Sequence, residues 1–539
     1  MKIVLANCIG IDRNGWYIIP YASRWTTSAR SYSDAFTYYP RDLAYLSSLL
    51  KCQTDHNITF IDGCFQRYDM NVYLEALLHH QPDWLVMESS SRTFLDDIWI
   101  AKNLKQRCGT KIIMTGQHPT AFPGEVANES DLVIEGDFIL PVLRYFQDGN
   151  LNPTRKIISY SSSNLIDVNT LPFPEDTDIS RYDYAEKGDP ICQYKEIQFY
   201  ASRGCPFQCQ YCVASNCYFG KPVWQKRNIE NIISEMGYLY QKYPKLEGLF
   251  FDDEIHNADI RFNKKLARAI IDAGFQNYHY NAMCAYHTFD TESLELMKSA
   301  GYYLLRIGIE TASSSVAEKL NLGKKHNPEK LGIMLETAKK TGLLVYGTFM
   351  IGCPDSTHND DLKTIELMHQ LISTGLLFDC QISICTPQPG TPLYYDVLKH
   401  NLLDNHDWYA YDGGTDVVVS SPNYPAEEIL KMREKALISY DTARKTNACD
   451  SFEKNLRMSS KKLKETPEKI LIFRSSRSWH LELSLEGIKN TYPSANIFMF
   501  CHSHLIKDYK HKFPWLSFIP YPQTGFINQE YIDSELQQK

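Results

Sequence analysis

Three cysteines are spaced for chemistry. Cys205, Cys209 and Cys212 stand in the stretch Ser202-Arg-Gly-Cys-Pro-Phe-Gln-Cys-Gln-Tyr-Cys212, a C-x3-C-x2-C spacing in a short Gly/Pro-bearing loop. Three thiolates this close cannot all pair as disulfides, and they can converge on one soft metal centre. A 4Fe-4S cluster usually takes four such thiolates. Three leave one iron open to a substrate or cofactor. Zinc fits less well, because zinc ribbons and knuckles usually need a second ligand pair at matched spacing. Cys217 lies outside the spacing. It is either a fourth thiolate or a packed apolar side chain.

The same stretch resembles the signature of the radical S-adenosylmethionine (SAM) enzymes, C-x3-C-x-aromatic-C, with Tyr211 as the aromatic. The resemblance implies a 4Fe-4S cluster on Cys205, Cys209 and Cys212 whose open iron chelates the amino and carboxylate groups of SAM. Reductive cleavage then gives methionine and a 5′-deoxyadenosyl radical. A low-potential electron donor such as flavodoxin or ferredoxin is implied with it. Further stretches extend the likeness. Phe250-Phe-Asp-Asp-Glu254 matches the segment that meets the SAM amino group, which points to Asp252 and Asp253. Both Asp are equally suited to capping the next helix. Arg306-Ile-Gly-Ile-Glu310 makes Glu310 the candidate for the ribose hydroxyls, since a carboxylate accepts two such bonds. The alternative for Glu310 is a surface ion pair. Gly347-Thr-Phe-Met-Ile-Gly-Cys-Pro354 offers backbone, at Gly352, for close approach to adenine. Gln388-Pro-Gly-Thr-Pro-Leu-Tyr394 resembles the closing loop.

These residues need strand ends to hold them. The chain has 539 residues, 43% hydrophobic, which suits two or three domains with several cores. Its net charge of −8 argues against a nucleic-acid-binding surface. The 15 Cys have no framework spacing and read as reduced intracellular thiols plus a metal site. No apolar run reaches transmembrane length, and Met1-Lys-Ile-Val-Leu5 begins a strand rather than a signal peptide. A cytoplasmic protein without a membrane span is expected.

From Glu196 to Thr386 the pattern alternates strand and helix. The strands are expected at 196–202, 248–251, 278–283, 303–309, 344–351 and 379–386. They make a partial (β/α)6 TIM-like barrel, with chemistry at the carboxyl ends of its strands. Cys284, Tyr286 and His287, after the third strand, would face the same cavity. Cys353 and Cys385 also lie at strand ends, where a buried apolar Cys is commoner than a reactive one.

Residues 1–150 alternate in the same way, which indicates a Rossmann-like parallel sheet with helices on both faces. Strands are expected at Ile3–Ala6, Ile58–Asp62, Trp84–Met87, Lys111–Met114 and Leu132–Ile134. Here Tyr39-Pro-Arg-Asp-Leu-Ala-Tyr-Leu46, Gln81-Pro-Asp-Trp-Leu85, Thr115-Gly-Gln-His-Pro-Thr-Ala121 and Glu135-Gly-Asp137 resemble the cobalamin-binding domain that precedes many radical SAM enzymes. The resemblance implies cobalamin beside Thr115, Gly116, His118, Thr120 and Gly136. The motif that supplies a lower cobalt ligand elsewhere, D-x-H-x-x-G, is absent, so His118 is expected to shape the His-Pro turn rather than bind cobalt. A Rossmann-like domain without its cofactor is the alternative.

Residues 151–195 read as a linker and 401–539 as a C-terminal helical and α/β region. The latter holds a charged linker at Lys461–Lys469, a helix at Leu483–Thr491 and, at Arg474–Arg477, a loop that is either a solvated turn or a holder of an anionic group. Together the resemblances, over residues 1 to about 440, imply a cobalamin-dependent radical SAM methyltransferase. It would move a methyl group from SAM through methylcobalamin to an unactivated carbon of a small molecule or peptide. The alternatives are a cyclase or rearrangement enzyme using cobalamin without net methylation, and a non-catalytic cobalamin- or metal-binding module.

Overall fold

In the computed structural model of the chain, the described residues are 1–12, 17–20, 28–31, 37–148, 156–322, 326–414, 416–459, 469–474, 485, 488–490, 492–501, 506 and 510–520. The expected boundary at 150/151, the linker at 461–468, the turn at 475–477 and most of the expected helix over 483–491 lie outside them. The chain forms two compact units, residues 1–371 with 376–438, and residues 372–375 with 439–539.

The first unit holds two parallel sheets. In the first, β1 (Lys2–Asn7), β4 (Asn57–Ile61), β5 (Trp84–Glu88), β6 (Lys111–Thr115), β7 (Leu132–Ile134) and β8 (Ile157–Ile158) run in the order β4-β1-β5-β6-β7-β8. A hairpin of β2 (Tyr17–Pro20) and β3 (Ser28–Ser31) follows β1. Successive strand residues face opposite sides. Ile3 and Leu5 therefore pack with Leu43, Leu46 and Leu50 of helix Arg41–Gln53 and Val142 and Phe146 of helix Ile139–Gln147. Val4 and Ala6 pack on the other side, with Leu74 and Leu77 of helix Met70–His80 and Ile98 and Leu104 of helix Phe94–Cys108. The strand order reverses between β1 and β5. In such sheets the ligand crevice lies beyond the carboxyl ends at that switch point.

All five strands expected for residues 1–150 are present. The sixth, β8, falls within the stretch expected to be a linker. It buries its short apolar pair against β7.

The second sheet comprises β9 (Glu196–Phe199), β12 (Gly248–Phe251), β13 (His279–Cys284), β14 (Tyr302–Glu310), β15 (Leu344–Ile351) and β16 (Asp379–Ile384), all parallel, in the order β9-β12-β13-β14-β15-β16. Chain order and spatial order coincide, as a strand–helix repeat requires. The expected strand 196–202 divides at Tyr200. Its second part, β10 (Ser202–Cys205), pairs antiparallel with β11 (Val223–Lys226) as a hairpin flanking the cysteine loop. Residues 401–438 belong to this first unit.

In the second unit β17 (Lys469–Arg474), β18 (Asn496–Cys501) and β19 (Ser517–Pro520) form a parallel sheet in that order. Its core includes Leu485, Ile497, Met499, Phe513 and Phe518. Strand β19 was not expected from the sequence. No helix among the described residues is long and apolar enough to cross a membrane.

Candidate functional site

The cysteine loop is held from both sides. Gly204 has φ of +89°, and a Cβ there would collide with the Val223 carbonyl of the partner strand. Only glycine lets the hairpin close at this point. Beyond it, Asn216 Nδ2 donates to the carbonyls of Cys209 and Cys212, at 2.9 and 2.6 Å. Asn216 lies in a single π-helical turn, Ala214–Tyr218. Such turns recur at functional sites.

Cys205, Cys209 and Cys212 line one cavity at the carboxyl ends of β12–β16. Among the described residues no three His, Cys, Asp or Glu gather as the ligands of a single ion would. A cluster makes a different demand, one thiolate for each of three irons.

Two carboxylates share the cavity wall, Glu254 and Glu310. Glu310 ends β14 in the left-handed region, φ +66°, where the pairing with β15 slips by one residue. A non-glycine residue there carries backbone strain, which tends to collect at functional sites. Its neighbour Gly308 makes room, because a Cβ at 308 would run into Glu310 Oε1. The Tyr211 hydroxyl bonds to Glu310, so the aromatic of the cysteine motif holds the strand-end carboxylate. Burial and Glu310 together push the Tyr211 phenol well above its usual range.

The expected pair Asp252 and Asp253 is turned elsewhere, and neither caps the following helix, which Asp259 caps. Asp252 Oδ2 accepts from Gln198 Nε2 at 2.7 Å. Asp253 Oδ1 accepts from the backbone of Ala201 and Ser202 at 2.8 and 2.7 Å, and its Oδ2 meets His256 Nδ1 at 2.7 Å. Asp253 thereby fixes the break between β9 and β10. The next residue, Glu254, reaches the cavity and accepts from Gly204 N at 2.8 Å. Of the motif's three carboxylates, Glu254 is the one that lines the cavity. Gly352 also lies off the cavity. Its N–H donates to Asp361 at 2.7 Å and its Cα faces Ile429, while Thr348, Phe349 and Met350 line the cavity instead. Cys284, Tyr286 and His287 line it as expected. Cys353 and Cys385 are buried in an apolar cluster with Tyr211 and Met350.

Thr115, Gly116, Thr120 and Gly136 do come together. Thr120 Oγ1 donates to Gly116 O at 2.6 Å and accepts from Gly136 N at 2.9 Å, while Thr115 Oγ1 donates to Ile134 O at 3.1 Å. These bonds tie the loops after β6 and β7 into one edge. Gly136 packs on Tyr160 and on the Cys217–Tyr218 backbone. His118 is fully buried, stacked on Phe94 at 3.9 Å and flanked by Phe122 and Trp408. Burial brings its pKa down to about 3, so the ring is neutral. Its Nδ1 meets Ser91 Oγ at 3.0 Å. His118 Nε2 and the Tyr160 hydroxyl are buried without a partner. Two unmet hydrogen-bonding atoms at this edge suit a ligand rich in amides, as cobalamin is.

Buried ion pairs link this edge to the cysteine hairpin. Arg41 Nη2 donates to Glu254 Oε1 at 2.7 Å, and Arg203 holds Asp137 with two bonds at 2.6 and 3.0 Å. Asp42 lies between Arg41 and Arg203, at 3.0 and 3.3 Å. Burial pushes its carboxyl up, but Arg203 and Arg41 override that and bring it down to about 2. Glu88, at the end of β5, accepts from the Tyr218 hydroxyl at 2.7 Å. Burial, with Asp42 nearby, raises its carboxyl to about 8. Neither Arg41 nor Glu88 was singled out in the sequence as a site residue, since nothing local distinguishes them from surface charges.

Residues 199–368 match the model of the Radical SAM superfamily. An uncharacterized methyltransferase of Pyrococcus horikoshii is 28% identical over 441 residues, 77% of this chain and 90% of its own. The bacteriochlorophyllide d C-8(2)-methyltransferase of Chlorobaculum tepidum is 25% identical over 405 residues, 74% of this chain and 84% of its own. Among solved structures, the radical SAM methyltransferase TsrM of Kitasatospora setae, with cobalamin and a [4Fe-4S] cluster bound, superposes with a TM-score of 0.56 at 13% identity, covering 74% of this chain and 75% of that one.

Proposed function

We propose that this chain is a cobalamin-dependent radical SAM methyltransferase acting on an unactivated carbon. One observation carries the reading: the three spaced cysteines, Glu254 and Glu310 line a single cavity at the carboxyl ends of a parallel sheet. The relatives named methyltransferases, and the cobalamin-bound structure of like fold, support the methyl-transfer part.

When bound, the cluster and cobalamin supply reductive SAM cleavage and methyl transfer. The chain's own residues hold and orient. Cys205, Cys209 and Cys212 hold the cluster. Glu310, steadied by Tyr211, accepts hydrogen bonds from ribose hydroxyls. Glu254, steadied by Arg41 and Gly204 N, accepts from the SAM amino group. The edge made by Thr115, Gly116, Thr120 and Gly136, with His118 and Tyr160, would hold cobalamin, with His118 kept in place by its aromatic surround. A low-potential donor such as flavodoxin or ferredoxin supplies the electron.

Anaerobically reconstituted protein is expected to hold about one 4Fe-4S cluster per chain, as thiolate ligation implies, and to take up cobalamin. Replacing Cys205, Cys209 and Cys212 by Ala removes the cluster absorbance and all reductive SAM cleavage. Methyl-labelled SAM with the acceptor yields S-adenosylhomocysteine as well as 5′-deoxyadenosine, which a rearrangement without methylation does not. SAM cleavage by the triple variant, or no cobalamin uptake under reducing conditions, overturns the reading.

A further inference from the structure

Beside the Glu310 carboxylate, the cavity wall carries a polar strip on β15 and β16. Thr348 of β15 and Gln381 of β16 are register partners, and Met350 pairs likewise with Ser383. Thr348, Gln381 and Ser383 all line the cavity. Strand residues two apart face the same side, so Gln381 and Ser383 form one polar strip beside Thr348. Gln381 Nε2 donates to Ser383 Oγ at 2.9 Å. That bond fixes both side chains and leaves the Gln381 carbonyl oxygen as an acceptor and the Ser383 proton as a donor. The Thr348 hydroxyl has no hydrogen-bond partner among the described residues. Gly308, with no side chain, keeps the space between Thr348 Oγ1 and the Glu310 carboxylate open. A Cβ there would lie 3.8 Å from the hydroxyl.

The rest of the wall is largely apolar, with Ile255, Met283, Ile309, Leu322 and Met350 among it. The described lining contains no Lys or Arg. Its two carboxylates are engaged, Glu254 by Arg41 and Glu310 by Tyr211. Among the described lining residues an anionic head group would find only His287 as a possible countercharge, and it would face thiolates and carboxylates. A cationic one would have to compete with SAM for the two carboxylates. Neutral hydrogen-bonding groups on an apolar wall select by pairing, because a polar site left unpaired costs about 1–3 kcal/mol.

We infer that the strip Thr348–Gln381–Ser383 binds the methyl acceptor, and that the acceptor is an uncharged, mainly apolar molecule bearing a hydroxyl, carbonyl or amide group. The inference rests on the proposed radical SAM reading and deepens it.

The test uses reconstituted holoprotein saturated with SAM and three probes of one skeleton: 1-decanol, decanoate and decylammonium. The alcohol is expected to bind at least tenfold more tightly than either ion. Gln381→Leu and Ser383→Ala should each weaken the alcohol fivefold or more and leave SAM affinity and iron content unchanged. Equal or tighter binding of decanoate or decylammonium overturns the acceptor class. Loss of SAM affinity in both variants assigns the strip to SAM and overturns the acceptor site. If wild-type protein holds the cluster but binds no SAM, the radical SAM reading itself fails, a result separate from either of these.

Discussion

Glu310 shows how a residue is placed at a cost. Its backbone sits at φ +66°, a conformation that costs an ordinary side chain of order 1–3 kcal/mol. Tyr211 and the empty space over Gly308 hold the carboxylate there. Glu310→Gln keeps the shape and would lose the charge-assisted part of the bonds proposed to ribose, about 1.5–3 kcal/mol. SAM affinity is therefore expected to fall roughly ten- to a hundredfold with iron content unchanged. Glu310→Gly separates strain from function. Thermal stability should hold or rise, because glycine accepts this φ, while SAM affinity falls at least tenfold. Titration of SAM against both variants, alongside their melting curves, checks the pair of outcomes. The surface ion-pair alternative does not describe this carboxylate, which is half-buried on the cavity wall and bonded to a tyrosine.

The elements around the cysteines were partly legible. Strand–helix alternation gave the parallel sheets, because each strand buried on both faces reads as a short apolar run, as Gly248-Leu-Phe-Phe251 does. The hairpin β10–β11 was not legible. Its strands are four residues each and carry Arg, Gly, Gln and Lys, with no alternation to read. They are fixed by tertiary bonds, Asp253 to the backbone of Ala201 and Ser202 above all. The same cause explains why Glu254, rather than Asp252 or Asp253, lines the cavity. Periodicity finds the strand end, but whether Asp253 or Glu254 faces the cavity depends on how the chain turns after β12. Asn216 tests the element. Asn216→Ala removes both bonds that gather the Cys209 and Cys212 carbonyls. Cluster occupancy should drop to about half or less after reconstitution, with the far-ultraviolet circular dichroism unchanged, since each lost bond is worth only about 1 kcal/mol. Iron analysis of wild type and variant prepared side by side is the check.

At the scale of the first unit, buried charges decide. Arg203 is paired twice with Asp137 and once with Asp42, all nearly without exposure. Removing one partner of such a set leaves a buried charge uncompensated, at a cost of about 3–5 kcal/mol. Arg203→Leu should lower unfolding stability by that order, read by denaturant titration. Glu88 sets a pH dependence. Its carboxyl is raised from 4.5 to about 8 in the folded chain. The folded state thus holds a proton that the unfolded state has already released over that interval. Stability from this group is present in full below pH 4.5 and is lost as pH rises through about 8. Glu88→Gln removes the titration. The variant should show a flatter stability profile between these limits and exceed wild type above pH 8, as urea unfolding at several pH values would reveal.

The Arg41–Glu254 bond also bears on modularity. Two sheets of the same general kind invite the idea of interchangeable parts, a cofactor-binding half joined to a catalytic half. The wiring says otherwise. Glu254, on the wall of the catalytic cavity, takes its countercharge from residue 41, and the cysteine hairpin anchors Arg203 on residues 42 and 137. A fragment starting at residue 196 would keep all three cysteines and lose the partners that neutralise their surroundings. Such a fragment cannot serve as a stand-alone SAM-cleaving unit, and grafting a different leading domain onto it would succeed only where an arginine and two aspartates arrive at the same three places.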